Sequence, residues 1–450
     1  MFYRKIEKRL EKWKSDNLNG LRYGLTVVGL RQVGKTTLIE EFVKTNFKSH
    51  VTINFKDSPK FKKLFKEADF DDGLEGFLLA LGSFFPGVDF SSPETALFLD
   101  EVQECGRARY AIKPLIKKTK LNVIASGSTL GVKGYNRETD GDIPTGSEQI
   151  VTMHPLDFEE FLLALGDNAK LIAYLKDCYQ NKKHINEAIH EKALFLFNQY
   201  LIVGGLPEVV DIFKRTDSFA EVREKQKSLI AEYQGDFGKY VDKDGVSRTD
   251  ESLRDKLNVI LDVVPSQLAK ENSKFFYSKI GNKARKSTYE NAINWLCEFG
   301  LLSKCLKVNP LQLPLKGNSD PDSFKLYYQD SGLFIANLDE YAYEHILKGD
   351  YGFYKGAIYE NIVADAFSKS NKGLYYYSSD SGLEIDFIGE YQGEVALIEA
   401  KAKSGHTKAS DEILNNKNKY DVNLVIKLTP QNIGINGNKL TLPYYLAFLL

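Results

Sequence analysis

At 450 residues, 43% of them hydrophobic and 27% charged, the chain has material for about three domains at a prior of roughly 150 residues each. Its 60 basic and 61 acidic side chains leave a net charge of -1, which excludes a chain that is basic throughout and still allows a local basic face. No stretch approaches the ~18 apolar residues of a membrane-crossing helix, and the charge-interrupted start MFYRKIEKRLEKWKSDN is neither signal peptide nor anchor, so a cytoplasmic protein without a membrane partner is expected.

Ile6, Leu10 and Trp13, at helical spacing, predict an amphipathic helix over 4–15. An apolar strand over 23–28 then runs straight into a glycine loop, and from Lys35 the period changes to that of a helix, with Leu38, Ile39, Phe42 and Val43 on one face. Further strands at 51–55, 96–99 and 121–125, with helical segments near 74–82 and 110–118, give the alternation of a parallel α/β sheet. Beyond Pro155 the sequence is mostly helical to about 240, followed by a loop over 242–250 and three short amphipathic segments over 251–305. Pro310, Pro314, Gly317 and Pro321 mark a linker or a hairpin loop, and a helix over 358–367 followed by several strands fills the C-terminal part. Cys105, Cys178, Cys297 and Cys305 lack CxxC or metal-ligand spacing and are expected as reduced thiols.

Gly29-Leu30-Arg31-Gln32-Val33-Gly34-Lys35-Thr36, followed by Thr37, fits the phosphate-loop pattern GxxxxGK[ST] between a predicted strand and a predicted helix. Glycines let backbone N–H groups curl around phosphates, Lys35 offers an ammonium to the β and γ phosphates, and Thr36 offers a hydroxyl to Mg2+. The following helix turns its positive end to the anion. Leu97-Phe98-Leu99-Asp100-Glu101 is an apolar strand ending in two carboxylates, with Asp100 suited to the Mg2+ shell and Glu101 to orienting or activating the attacking water. Ser126 or Ser128, after the next strand, would sense the γ phosphate or simply open a helix. Asn418-Lys419-Tyr420-Asp421 fits the guanine-reading NKxD pattern but lies outside the α/β core with no strong strand before it; it is taken as chance, which leaves ATP as the nucleotide.

GLRQVGKTTL, LFLDEVQ, ASGST, PLDFEEFL and YLIVGGLPEVV, in that order, resemble a family of prokaryotic AAA-superfamily ATPases with a C-terminal domain of unknown function similar to PD-(D/E)xK nucleases. The resemblance implies a P-loop, AAA-like α/β core over 1–155, a helical lid over 156–245, a winged-helix-like segment over 246–315 and an α/β nuclease-like domain over 316–450. Many relatives carry a Gly-Arg pair where this chain has Thr145-Gly146-Ser147, so an arginine there is not carried over; Arg107, Arg109 and Arg137 are the nearest in sequence and are expected to be solvated. An activating residue from a second copy, in a homo-oligomer, is then one way to complete the site.

In the C-terminal part, Glu360 falls on a predicted helix, Asp386 and Glu399 on two strands joined by a hairpin, and Lys401 on the same strand face as Glu399. Paired carboxylates beside a lysine suit Mg2+ or Mn2+ and activation of water against a phosphodiester, or form a surface ion pair. These four fill the positions that the resemblance expects of a PD-(D/E)xK site. Over 272–289, Lys274, Lys279, Lys283, Arg285 and Lys286 occur with no acidic residue beside Phe275, Phe276 and Tyr277, which is either a solvated helix face or a DNA contact. The expected activity is Mg2+-dependent ATP hydrolysis coupled to DNA binding or processing, or else a nucleotide-controlled switch whose C-terminal domain is a non-catalytic binding or dimerisation module.

Overall fold

The computed structural model describes residues 2–128, 146–241, 247–249, 251–270, 274–281, 284–338, 342–348, 352–401 and 408–450. They fall into two compact units: Met1–His154 with Phe237–Ser252, and Pro155–Asp236 with Leu253–Leu450.

The first unit is built on five parallel strands, β1 (Gly24–Val28), β2 (Ser49–Asn54), β3 (Thr95–Asp100), β4 (Asn122–Gly127) and β5 (Glu148–Thr152), in the order β2-β3-β4-β1-β5. β1, β3 and β4 are buried along their whole length, which is why they appear in the sequence as continuous apolar runs without alternation. β5 is an edge strand with Ile150 44% exposed, so no apolar run announced it. Helices α1 (Glu7–Leu18) and α2 (Lys35–Asn46) flank β1, and α3 (Pro59–Glu67) and α4 (Leu74–Phe84) lie between β2 and β3 in sequence. α5 (Gly106–Lys118) precedes β4.

Sequence periodicity does not predict α3, whose Phe61 and Phe65 form its buried stripe. The phenylalanines around it meet edge to face, with ring centroids 5.2 Å apart for Phe55–Phe65, 4.9 Å for Phe65–Phe77 and 5.0 Å for Phe70–Phe77. Such pairs add about 0.5–1.5 kcal/mol each beyond the area they bury. α1 docks through Leu10 and Trp13, both fully buried, and the Trp13 indole N–H donates to the Tyr23 carbonyl at 2.8 Å, just before β1. A short antiparallel pair, β6 (Lys239–Val241) and β7 (Ser247–Thr249), also belongs to this unit.

The second unit opens with five helices, α6 (Phe158–Leu165), α7 (Ala169–Gln180), α8 (Glu187–Val203), α9 (Pro207–Thr216) and α10 (Phe219–Asp236). α6 starts on a capping box in which the Asp157 carboxylate accepts the Glu160 N–H at 2.9 Å and Glu160 accepts the Asp157 N–H at 3.2 Å. α11 (Glu251–Leu268) and α12 (Lys286–Phe299) lead to a hairpin of β8 (Leu302–Val308) and β9 (Ser319–Tyr328). Then follow α13 (Ser331–Ala336), α14 (Ala342–Leu347), α15 (Lys355–Lys369), β10 (Tyr375–Ser378), β11 (Glu384–Tyr391), β12 (Glu394–Ala400), α16 (Lys408–Asn415), β13 (Leu424–Thr429), β14 (Gly434–Asn436) and β15 (Lys439–Pro443). The strands make one mixed sheet in the order β14-β15-β13-β12-β11-β10-β8-β9. The boundary drawn at 315/316 therefore falls between two hydrogen-bonded strands, and the segments on either side share this sheet.

α15 is buried along most of its length, and its Asn361 side chain clips β9, accepting the Tyr328 N–H at 2.7 Å. At the far end of α15 the buried Lys369 ammonium donates to Asp365 at 2.9 Å, the Tyr200 hydroxyl at 2.9 Å and the Leu156 carbonyl at 3.1 Å. Asp330, 3.8 Å from the same ammonium, accepts the N–H of Gly205 at 2.7 Å and of Leu333 at 3.0 Å. This junction ties α6, α8, α13 and α15 together.

Candidate functional site

β1 ends at Val28, whose carbonyl accepts the Met153 N–H at 2.7 Å, so the chain leaving β5 lies against the loop that follows β1. A side chain on Gly29 would bring its Cβ to 2.2 Å from the Met153 carbonyl oxygen; only glycine fits. Gln32 and Gly34 take left-handed backbone, φ +65° and +90°, and α2 begins immediately after at Lys35. Left-handed non-glycine residues are costly and collect at ligand-binding sites. Thr37 is exposed on the first turn of α2.

Lys35 is buried, 6% exposed, and its ammonium donates to the Gly29 carbonyl at 3.1 Å and the Leu30 carbonyl at 3.0 Å. Burial pulls its pKa down to about 8; Glu101 and Asp100 oppose the drop and Arg31 adds to it. Asp100, at the end of β3, is 1% exposed and gathers hydroxyl and amide donors from three neighbouring elements. Thr36 Oγ1 lies 3.1 Å from each carboxylate oxygen, Asn54 Nδ2 donates at 2.9 Å, and the Ser126 hydroxyl donates to Oδ1. Burial raises the Asp100 pKa against these donors, and Glu101 raises it further. Glu101 sits next in sequence with φ +53°, and its carboxylate accepts from the Gln103 amide, whose oxygen accepts the Ser128 N–H at 3.3 Å.

The residues of GLRQVGKT, Asp100 and Glu101 thus come together at the C-terminal ends of β1 and β3. Ser126 bonds Asp100 through its side chain, and Ser128 meets Gln103 through its backbone. Asn54 and Gln103 are functional neighbours that sequence reasoning missed. Asn54 is the register partner of Asp100, and its only signal was a polar residue closing an apolar strand. Gln103 lay inside the LFLDEVQ run. A buried ammonium, a helix N-terminus, and a threonine hydroxyl facing a carboxylate make a donor set that fits a polyphosphate with a hard divalent cation.

Two of the arginines expected to be solvated are instead engaged in structure. Arg109 pairs with Glu148 at 3.0 Å, with the two side chains 12% and 3% exposed, and Thr26 donates to the same carboxylate. Arg107 donates to the Ala68 carbonyl at 3.0 Å and lies over the rings of Phe70 and Tyr110. Charged partners and aromatic faces hold both against the unit. Arg137 lies outside the described residues. Ser147 accepts the Gly24 N–H through its carbonyl at 2.8 Å, so that segment lines up beside β1. Asn418–Asp421 belongs to the second unit, where the Tyr420 hydroxyl meets that of Tyr377 at 3.0 Å, a core role consistent with a chance match to NKxD.

In the second unit, β11 and β12 are antiparallel neighbours and bring Asp386 and Glu399 together, as the hairpin reading expects. The Lys401 ammonium lies between them, 3.0 Å from Asp386 and 2.6 Å from Glu399; the Ala400 N–H donates to Asp386 at 2.8 Å, and the Ser410 hydroxyl donates to Glu399. Glu360, on α15, accepts the Tyr327 hydroxyl at 2.7 Å and faces Lys325 at 3.5 Å; Lys325 also pairs with Glu384 at 2.7 Å. Burial raises the pKa of both Glu360 and Glu399, and Asp386 raises each further. Among the described residues no group of three or more His, Cys, Asp or Glu side chains is placed to hold a metal ion. As placed, the Lys401 ammonium bridges the Asp386 and Glu399 carboxylates as their shared ion-pair partner.

Of the basic run, Lys279, Arg285 and Lys286 are exposed, and Lys286 pairs with Asp322 at 2.5 Å. Lys274 donates to Ser323 at 3.3 Å, and Lys283 lies outside the described residues. Phe275 is buried against Phe324, so it serves the core. No helix among the described residues is long and apolar enough to cross a membrane.

Residues 22–162, which carry the phosphate loop, Asp100 and Glu101, match the family model of an AAA domain. They form a P-loop domain of the AAA ATPase type, a fold that supports nucleotide binding and hydrolysis. Beyond this AAA-type domain, residues 194–342 match a domain of unknown function, DUF8612, and residues 355–446 match another, DUF4143. No curated protein matches the chain. Similar solved structures include the Aeropyrum pernix ORC2 protein in ADPNP–ADP complexes, 13% identical, covering 78% of this chain and 94% of that one with a TM-score of 0.37. Another is the Thermotoga maritima RuvB Holliday junction branch migration motor, 12% identical, covering 67% and 90% with a TM-score of 0.29.

Proposed function

We propose that the first unit is a Mg2+-dependent ATPase in which Thr36 and Asp100 hold the ion and Glu101 acts on the attacking water. The observation that carries this reading is the buried Asp100 facing the Thr36 hydroxyl at 3.1 Å, beside the buried Lys35 ammonium. When bound, Mg2+ neutralises charge on the phosphate oxygens. Lys35 binds the same oxygens, exchanging two carbonyl partners for anionic ones. Asn54 and Ser126 hold the Asp100 carboxylate in one orientation toward Thr36, and Gln103 does the same for Glu101. Glu101 orients water and accepts its proton. Glu101→Gln keeps the shape and removes the base, so kcat should fall by roughly 10²–10⁴-fold while ATP still binds. Hydrolysis by Glu101→Gln at the wild-type rate would overturn the assignment.

For the second unit we infer nucleic acid as a partner that it binds without cutting. Lys279 and Arg285 offer exposed cations for phosphates, and with no group of three or more metal-ligating side chains among the described residues we favour a binding module over a metal-dependent nuclease. DNA should stimulate ATP turnover, and plasmid should stay intact in Mn2+. Nicked plasmid from wild type, absent with Lys401→Ala, would establish cleavage; ATP turnover indifferent to DNA would favour the nucleotide-controlled switch.

A further inference from the structure

Arg4 stands three residues before α1, far in sequence from the phosphate loop, yet it is 5% exposed and reaches that loop. Its Nη1 donates to the Val33 carbonyl at 2.9 Å, and its Nη2 donates to the His154 carbonyl at 2.5 Å. The position is built from the chain start onwards. Leu10 and Trp13 fix α1 in the core, and the Glu7 carboxylate accepts the Arg4 N–H at 3.0 Å, which fixes the backbone from which the guanidinium projects.

The Val33–Gly34 peptide is the one that leads into Lys35 and α2. A peptide unit is planar and trans, so its C=O and N–H point in opposite directions. Pinning the Val33 carbonyl toward Arg4 therefore turns the Gly34 N–H away from Arg4 and fixes it there. Lys35 holds the Gly29 and Leu30 carbonyls at the start of the same loop. The loop's carbonyls are thus held by cations at both ends, and the second hydrogen bond of Arg4 joins the loop to the residue after Met153, whose carbonyl Gly29 passes. A planar guanidinium with a fixed fork meets two carbonyls at once, which a lysine ammonium on a flexible stem does not reproduce.

We propose that Arg4 is a positioning residue of the phosphate loop: it holds the Val33–Gly34 peptide in its anion-ready orientation before nucleotide arrives. This rests on the ATPase reading above. The effect belongs to binding and not to the chemical step, so KM and the dissociation constant for ATP should rise while kcat stays nearly unchanged.

The test uses the full chain with Mg2+ and ATP, in wild type, Arg4→Ala and Arg4→Lys, measuring dissociation constant, KM and kcat together with thermal midpoints. Loss of charge-assisted bonds predicts a rise of roughly 10- to 100-fold in KM and dissociation constant for Arg4→Ala. Arg4→Lys, which keeps the charge but not the fixed fork, should fold and lie between the two. Millimolar guanidinium added to Arg4→Ala should restore part of the affinity, which a purely structural loss would not show. Wild-type affinity in folded Arg4→Ala or Arg4→Lys would overturn the proposal, and so would a weakened affinity that guanidinium leaves unchanged. Absence of ATP binding in wild type would instead sink the ATPase reading beneath it.

Discussion

A single ammonium gives the site a pH signature. Lys35 in the free protein titrates at about 8 because burial disfavours its charged form. Bound polyphosphate favours the charged form and lifts that pKa, so binding takes up a proton once the free site has lost one. ATP affinity should therefore be flat below pH 8 and fall by up to about tenfold per unit above it. Titrating ATP from pH 6.5 to 10 checks this; a profile flat through pH 8 to 9.5 would contradict it. Lys35 and Thr36 were legible because their motif is local, one loop with fixed spacing. Arg4 and Asn54 were not, because each acts on the site across the fold: Arg4 over 29 residues to Val33 and Asn54 over 46 to Asp100. No local spacing encodes a contact of that kind.

Among the elements, the junction of α6, α8, α13 and α15 is sensitive to single changes. A Cβ on Gly205 would lie 2.0 Å from the Leu156 carbonyl oxygen, backbone that cannot swing aside, so Gly205→Ala should destabilise the second unit strongly. Lys369→Met would leave Asp365 and Asp330 buried without their cation and should cost about 3–5 kcal/mol, read from the urea midpoint. Asp365 adds a pH dependence. Burial raises its pKa to about 7 from an ordinary 3.8, with Asp330 adding and Lys369 opposing. A raised carboxyl means that the folded state holds the proton where the unfolded chain has lost it. Stability from this group is therefore present at low pH and is lost as pH rises from about 4 through 7. Glu360 and Glu399 act in the same direction. Asp365→Asn should flatten the fall between pH 5 and 7.5; an unchanged slope would show that Asp365 does not titrate there. PLDF and YLIVGGLP were visible as sequence runs, but nothing in them showed that they meet at one lysine from α15.

At the scale of the molecule, the alternation of apolar strands and helices made the parallel sheet legible, since buried strands leave continuous runs. The partition of the remainder was less so. Pro310, Pro314 and Gly317 read as a linker or a hairpin loop because proline and glycine punctuate sequence in the same way whether they part domains or close a long hairpin, and here they are the hairpin loop, joining β8 to β9 within one sheet. The chain's two tryptophans happen to report on the two units separately: Trp13 is in the first, and Trp295, stacked on Phe299 at 4.8 Å, is in the second. Single-tryptophan variants, Trp295→Phe and Trp13→Phe, allow each unfolding transition to be followed alone. A ligand bound only to the folded form stabilises it by about 2.7 kcal/mol at a hundred times its dissociation constant. Mg2+ and ATP at that level should shift the Trp13 transition by that amount and leave the Trp295 transition in place. Asp365→Asn should do the reverse, altering the pH dependence reported by Trp295 alone. Equal shifts of both tryptophans under either change would mean that the units unfold as one, and the ATP-binding energy would then be shared with the second unit and available to whatever it holds.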